Sequence, residues 1–304
     1  MRIVTLLPSA TEIVCSLGCA DFLVGRSHEC DFPPPITSLP VCTESKIHPE
    51  ALSKEIDLQV KESVQKSLSL YRVHIPILKA LRPDIIITQD QCEVCAVSLK
   101  ELQEVIRQVL ESAPQIVSLK TRRLSDLWED MRKVAEVLHC AEKGEQLIRH
   151  GRQRPKDIIA QVPYKPRSSA VVCLEWLDPL MAAGSWIPEM VKMLHGENLF
   201  SKSGENAIIL AWPDLLEKDP DIIILMPCGW DMERSRAELS VLSNRPGWSQ
   251  LKAVRQRQVY LTNGNHYFNR PGPRLVDSLE ILAEILYPEK FCFHYEGKAW
   301  QRLG

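Results

Sequence analysis

The chain repeats one short pattern. Leu81-Arg82-Pro83-Asp84-Ile85-Ile86-Ile87-Thr88-Gln89-Asp90-Gln91-Cys92 is matched by Lys218-Asp219-Pro220-Asp221-Ile222-Ile223-Ile224-Leu225-Met226-Pro227-Cys228. Each copy is a Pro-Asp turn, an unbroken apolar run too short for a helix, and a loop reaching a cysteine. Such a β-branched run marks a strand covered on both faces, as in a parallel sheet flanked by helices. The pattern therefore predicts two α/β halves. Ligands of open α/β sheets sit outside the carboxyl ends of the strands, so it also predicts a cleft lined by the loops that follow each copy.

At 304 residues the chain suits two domains. A formal net charge of -2 supplies no basic stripe for nucleic acid. No apolar run approaches the ~20 residues that cross a bilayer. Residues 1–7 are apolar with one basic residue, but the run is short, Glu12 interrupts it, and a helix signal follows at once. It is expected to be the first strand rather than a secretory leader, and the protein is expected in the cytoplasm. There, the ten cysteines are expected to be free, metal-bound or catalytic rather than disulfide-bonded.

Ser9 and Glu12 have capping-box spacing ahead of Ile13, Val14 and Leu17, with Gly18 as the stop. Residues 22–25 read as a second strand, after which Pro33, Pro34 and Pro35 forbid a helix. Residues 48–82 read as mostly helical, Ser98 caps a helix to about Leu110, and residues 115–119 close the first half as a strand. From 122 to about 150, Leu124, Leu127, Met131, Val134, Leu138 and Leu147 recur at helical spacing. This predicts one helix of roughly 40 Å, with Pro155, Pro163 and Pro166 in a loop beyond it. The second half restarts with a strand at 169–174. A helix near Pro188 stops at Gly196, a late strand spans 258–262, a turn follows at 263–266, and a closing helix covers 273–286. The expected domains are residues 1–121, a linking helix over 122–160, and residues 161–304. The expected fold class is α/β, two Rossmann-like lobes with parallel sheets bridged by one long α-helix.

The opening Arg2-Ile3-Val4-Thr5-Leu6-Leu7-Pro8-Ser9-Ala10-Thr11-Glu12-Ile13, with Leu17-Gly18 and Leu23-Val24-Gly25, resembles the start of class III periplasmic-binding domains. These include the vitamin B12-binding and ferric-siderophore-binding proteins of ABC importers. The Pro-Asp strands, Gly196-Glu197-Asn198-Leu199-Phe200 and the linking helix fit the same pattern over nearly the whole chain. More narrowly, the chain is similar to the leaderless members described as cobalamin-binding proteins. The resemblance implies a small molecule or metal complex held between two lobes. It also implies an acidic residue on each lobe that meets arginines of a permease. Glu189 stands at such a place in the second lobe. The stretch from Glu44 to His74 obscures the first-lobe equivalent, which puts docking to an ABC permease in doubt.

Candidate ligand contacts lie in the loops after the strands. They are Ser9 and Thr11 after the first strand, His28 and Glu29 in Ser27-His28-Glu29-Cys30-Asp31 after the second, and Asp90 and Gln91 after the first Pro-Asp strand. In the second half they are Glu175, Trp176 and Trp186, then Trp230 after the second Pro-Asp strand, and His266 and Tyr267 after the last. Flat rings suit a large planar ligand such as a corrin or metal chelate, and an imidazole coordinates a metal or moves a proton. The alternatives are packing for the tryptophans and a self-capped turn for the 27–31 loop.

Cys92-Glu93-Val94-Cys95 has the C-x-x-C spacing of zinc and redox sites. Cys228 holds the equivalent place in the other half and is expected to face Cys92, while Cys30 and Cys42 follow first-half strands. Together with His28, such thiolates would hold Zn²⁺ or an iron–sulfur centre. The alternative is that they are small buried residues, as Cys15, Cys19, Cys140, Cys173 and Cys292 are read to be. No phosphate-cradling glycine loop, nucleophile elbow or H-E-x-x-H occurs in the sequence. Two functions follow. One is a cytoplasmic two-lobed binding protein for a cobalamin-like corrinoid or other metal complex. The other is a metal-dependent enzyme with Cys30, Cys92, Cys95 and Cys228 as ligands and Glu29 or His266 as general acid or base.

Overall fold

The computed structural model describes residues 1–65, 70–89, 106, 113–164 and 168–303. The chain divides into two compact units, Met1–Ala51 with Glu55–His150, and Leu52–Lys54 with Gly151–Gly304. Among the described residues no helix is long and apolar enough to cross a membrane.

In the first unit the strands are β1 (Ile3–Thr5), β2 (Leu23–Arg26), β3 (Thr43–Ser45), β4 (Tyr71–Val73), β5 (Ile85–Gln89) and β6 (Gln115–Leu119). The helices are α1 (Pro8–Ser16), α2 (Ser53–Gln65), α3 (Ile75–Leu81), α4 (Leu124–Val137) and α5 (Ala141–Ile159); the first two residues of α2 belong to the second unit, and α5 continues into it. Strands in the order β2-β1-β5-β6 make an all-parallel sheet. Every residue of β1 and β5 is buried, so neither strand has a solvent face and neither alternates. Val4, Leu6 and Ile86 pack in one cluster with Cys42, Val73 and Leu78. β3 and β4 form a separate antiparallel pair.

The second unit is built on β7 (Ala170–Leu177), β8 (Leu180–Ala182), β9 (Glu197–Asn198), β10 (Ile208–Ile209), β11 (Ile222–Leu225), β12 (Val259–Thr262) and β13 (Trp300–Leu303). β7, β11 and β12 are its parallel centre; on one side β8 pairs antiparallel with β7 and β10 antiparallel with β8, and on the other β13 pairs antiparallel with β12. Its helices are α6 (Ile187–Met193), α7 (Trp212–Lys218), α8 (Met232–Ala237), the single turns α9 (Ser240–Ser243) and α10 (Lys252–Arg255), and α11 (Leu275–Leu286).

The repeated sequence becomes a repeated structure. α3 and α7 each start with a proline in the first turn and each stop at a left-handed residue, Arg82 at φ 42° and Asp219 at φ 41°. The aspartate of each Pro-Asp pair then brackets the amino end of the opening strand. The Asp84 carboxylate accepts the Arg2 N–H at 2.7 Å, and its own N–H donates to the Arg2 carbonyl at 2.8 Å. Asp221 does the same to Ala170, at 2.8 and 2.9 Å. Both central strands thereby enter their sheets in fixed register.

Several expectations are corrected. The helix expected to run unbroken from 122 to about 150 is two helices. His139 sits at φ 57°, the Cys140 N–H closes onto Ala135 at 2.8 Å, and the Gly144 N–H reopens the helix on Cys140 at 3.0 Å. The apolar spacing continues through the break, so periodicity alone did not reveal it. Pro155 lies inside α5 rather than in a loop; the helix continues past it to Ile159, and neighbouring Arg154 pairs with Asp277 and Glu280, each at 2.7 Å. The Ser9–Glu12 capping box does not form. Pro8 takes the first helical position, which makes Leu7 the cap with no side-chain hydrogen bond. Residues 48–82 hold α2, β4 and α3 in turn, and the chain closes on β13 rather than on α11. The helix expected at 98–110 lies outside the described residues, apart from Ile106.

Candidate functional site

In the first unit the loop after β2 is held by its own strand. Arg26 donates through Nη1 to the carbonyls of Ser27 and Cys30, at 3.1 and 3.0 Å, and through Nη2 to Thr37 at 2.8 Å. His28 and Glu29 then meet the β3–β4 pair. Tyr71 donates its hydroxyl to Glu29 at 2.8 Å, and its ring lies 5.2 Å from the His28 ring. The Thr43 hydroxyl donates to Ser27 Oγ at 3.0 Å and accepts the His28 N–H at 3.1 Å, with His28 Nδ1 2.8 Å away. Because that hydroxyl's proton goes to Ser27, Nδ1 carries the ring proton and Nε2 keeps its lone pair, the form in which imidazole binds metals.

Burial, then the positive charge of Arg26, hold the His28 pKa below its ordinary 6.5, while Glu44 opposes the shift. The unfolded chain therefore takes up this proton first as pH falls, and stability drops below about pH 6.5 until the folded imidazole protonates too. Denaturant titrations between pH 5 and 7.5 should show this slope, and His28→Asn should flatten it. Identical slopes in the two proteins would contradict the assignment.

In the second unit the carboxyl end of β7 and the loops after β11 and β12 are tied into one rim; Glu175 and Trp176, expected in a loop, lie on β7 itself, which runs on to Leu177 and pairs there with β8. The Cys228 N–H donates to the Glu175 carbonyl at 3.0 Å and the Asn265 N–H to the Trp230 carbonyl at 2.9 Å. Glu175 Oε2 accepts from the Gly184 N–H at 3.3 Å. The Asn263 side chain accepts the His266 N–H at 2.9 Å. Half-buried Trp176 lies 5.0 Å from the buried Trp230 ring, tilted by 49°. Its indole N–H points to the carbonyls of Ser53 and Asp178, both at 3.2 Å. Arg234 stands 4.5 Å over the Trp230 ring and pairs with buried Glu238 at 2.8 Å. Glu238 takes the Ser53 N–H on both oxygens, each at 3.1 Å. Tyr267 packs edge-on to Tyr295 at 5.8 Å, under Arg274.

Other candidates sit elsewhere. Thr11 is fully buried, bonded to Thr5 at 2.7 Å and donating to Cys30 Sγ at 3.0 Å. Trp186 is interior, its indole committed to the Phe268 carbonyl at 3.0 Å. The Ser9 hydroxyl is buried with no hydrogen-bond partner. Cys42 belongs to the core, and burial pushes its thiol up to about 11, far from the thiolate a metal takes. Cys228 is exposed. Asp90, Gln91, Cys92 and Cys95 lie outside the described residues, and so does the expected pairing of Cys92 with Cys228. Among the described residues no group of three or more His, Cys, Asp or Glu gathers as a metal site. Glu189, on the first turn of α6, accepts from Ser203 at 3.0 Å.

Sequence reasoning missed Thr43 and Tyr71, which complete the His28–Glu29 group, and Arg234 and Glu238, which back the tryptophan pair. The β3–β4 pairing joins segments far apart in the chain without a hairpin turn between them, so no local signal announces it. Asp231-Met232-Glu233-Arg234 did carry a helix-start signal, since Asp231 caps α8.

The sequence matches the periplasmic binding protein family over residues 3–265. The chain is 23% identical over 296 residues to the uncharacterized ABC transporter substrate-binding lipoprotein YvrC of Bacillus subtilis, covering 95% of this chain and 81% of that protein. It is 23% identical over 290 residues to the vitamin B12-binding protein of Vibrio cholerae, covering 94% and 88%. Among solved structures, a periplasmic heme-binding protein from Pseudomonas aeruginosa superposes with a TM-score of 0.71 at 20% identity, over 95% of this chain and 93% of that one. The periplasmic vitamin B12-binding protein BtuF of Vibrio cholerae does so at 0.63 and 22%, over 94% and 96%. With an all-parallel sheet in the first unit and a mixed sheet with a parallel centre in the second, the chain belongs to the periplasmic binding protein family, in its class III form.

Proposed function

We propose that this protein is a cytoplasmic binding protein for a cobalamin-like corrinoid or another planar metal complex. The rim of the second unit carries this reading, with Trp176, on the carboxyl end of β7, and Trp230 ring to ring at 5.0 Å on a rim that also bears Glu175, Cys228 and His266. Aromatic faces hold a macrocycle by buried area while a few polar groups orient it, and an imidazole is a fitting axial ligand. The vitamin B12-binding relative and the heme-binding structural neighbour, each matched over more than nine-tenths of this chain, support the ligand class. Ten cysteines suit a compartment that keeps thiols reduced, which supports the location.

Titration with hydroxocobalamin and, separately, with haemin should give saturable heat and a displaced absorption band for at least one probe. Trp176→Leu should weaken that probe about tenfold, or about 1.4 kcal/mol. The absence of both heat and band shift with either compound overturns the ligand class. Recovery of the protein from periplasm or membranes after fractionation overturns the location.

A further inference from the structure

We propose that Cys19 and Cys140 form a redox-sensitive dithiol that closes to an intramolecular disulfide. The two stand 121 positions apart in sequence, yet their Sγ atoms are 4.0 Å from each other. Both belong to the first unit. Cys19 follows Gly18 just past α1, and Cys140 stands in the break between α4 and α5. A disulfide needs about 2.05 Å between sulfurs, so they must approach by roughly 2 Å. Neither cysteine lies within a helix, and their neighbours Gly18 and His139 are turn residues at φ 68° and 57°. Access is asymmetric. Cys19 is buried, whereas half-buried Cys140 lines an open groove of about 470 Å³ with His139, Ala141, Glu142, Lys143 and Gln146.

This arrangement suits thiol–disulfide exchange with a low-molecular-weight disulfide such as oxidised glutathione. The Cys140 thiolate attacks one glutathione sulfur, forming a mixed disulfide and releasing the first glutathione thiolate. Cys19 then loses its proton to solvent and attacks Cys140 Sγ, expelling the second. The two protein thiols give up two electrons and two protons, and the glutathione disulfide is reduced to two thiols. Burial, then the adjacent Cys19 thiol, push the Cys140 thiol up to about 11. Thiolate is therefore scarce at neutral pH, and closure accelerates as pH rises. The product staples the end of α1 to the α4–α5 corner and closes a long loop in the unfolded chain.

The test is peptide mapping of the full-length native protein after incubation with excess oxidised glutathione at pH 7 and pH 9, with alkylation of remaining thiols before digestion. The expected product is a linked pair of peptides containing Cys19 and Cys140, two hydrogens lighter than the reduced pair and formed faster at pH 9. It should survive in Cys15→Ser and vanish in Cys19→Ser and Cys140→Ser. The unfolding midpoint of the oxidised protein should rise by about 5 °C or more. Cys140 found only free or as a glutathione adduct at pH 9, or a linked pair with an unchanged or lowered midpoint, overturns the proposal.

Discussion

Glu284→Ala should detach the C-terminal strand and destabilise the second unit by about 3–4 kcal/mol. Glu284 is 4% exposed on α11 and is the acceptor for three donors of the chain's last segment. These are the Phe293 N–H, the Tyr295 N–H at 3.3 Å, and the Trp300 indole N–H at 2.7 Å. Alanine leaves all three without their acceptor, and stranding a donor in the interior costs far more than an average hydrogen bond is worth. β13 pairs with β12 from Thr262↔Trp300 to Val259↔Leu303, so the loss propagates into that ladder. Guanidinium unfolding should show the shift, and hydrogen exchange should show lost protection across 293–303. Glu284→Gln, which keeps an acceptor oxygen, should cost about half as much. Wild-type exchange in Glu284→Ala would refute the account.

Gly264→Ala should cost about 3 kcal/mol and disturb the second unit's rim in the same step. A Cβ at this position would overlap the Pro227 carbonyl oxygen and come within 2.8 Å of the Met226 carbonyl carbon. Both neighbours are backbone and have no rotamer to yield, so the loops after β11 and β12 must separate. That separation pulls on the Asn265–Trp230 bond, and with it on Trp230 and His266. The expected result is a lower unfolding midpoint together with weaker binding of whichever of hydroxocobalamin or haemin the wild type prefers. A variant with both properties intact would show that the close approach is not required.

The legible part of this fold was the part written in contiguous residues. Ile85-Ile86-Ile87 and Ile222-Ile223-Ile224 read as two-sided strands, because a β-branched run too short for a helix and set between turns suits a strand covered on both faces, and both are. The illegible part depended on contacts between distant segments. His28 and Glu29 were visible as a polar loop, but Thr43 and Tyr71 arrive through a pairing with no turn signature. Trp186 looked like Trp176 in sequence, and the indole N–H of each is hydrogen-bonded, yet Trp186 is buried while Trp176 stays half-buried at the rim. The break at His139 was hidden because apolar positions keep their phase across it. Cys19 and Cys140 each read as packing, and only their mutual approach separates them from ordinary buried thiols.

The Asp84 and Asp221 brackets lie at the amino ends of their strands, whereas the residues proposed to meet ligand emerge at the carboxyl ends. Anchoring and recognition therefore occupy opposite poles of each sheet. A designer can transplant the loop that follows Leu225 to retune selectivity while the starts of β7 and β11 stay pinned by the Asp221 carboxylate, which makes the second unit a tractable chassis for a sensor.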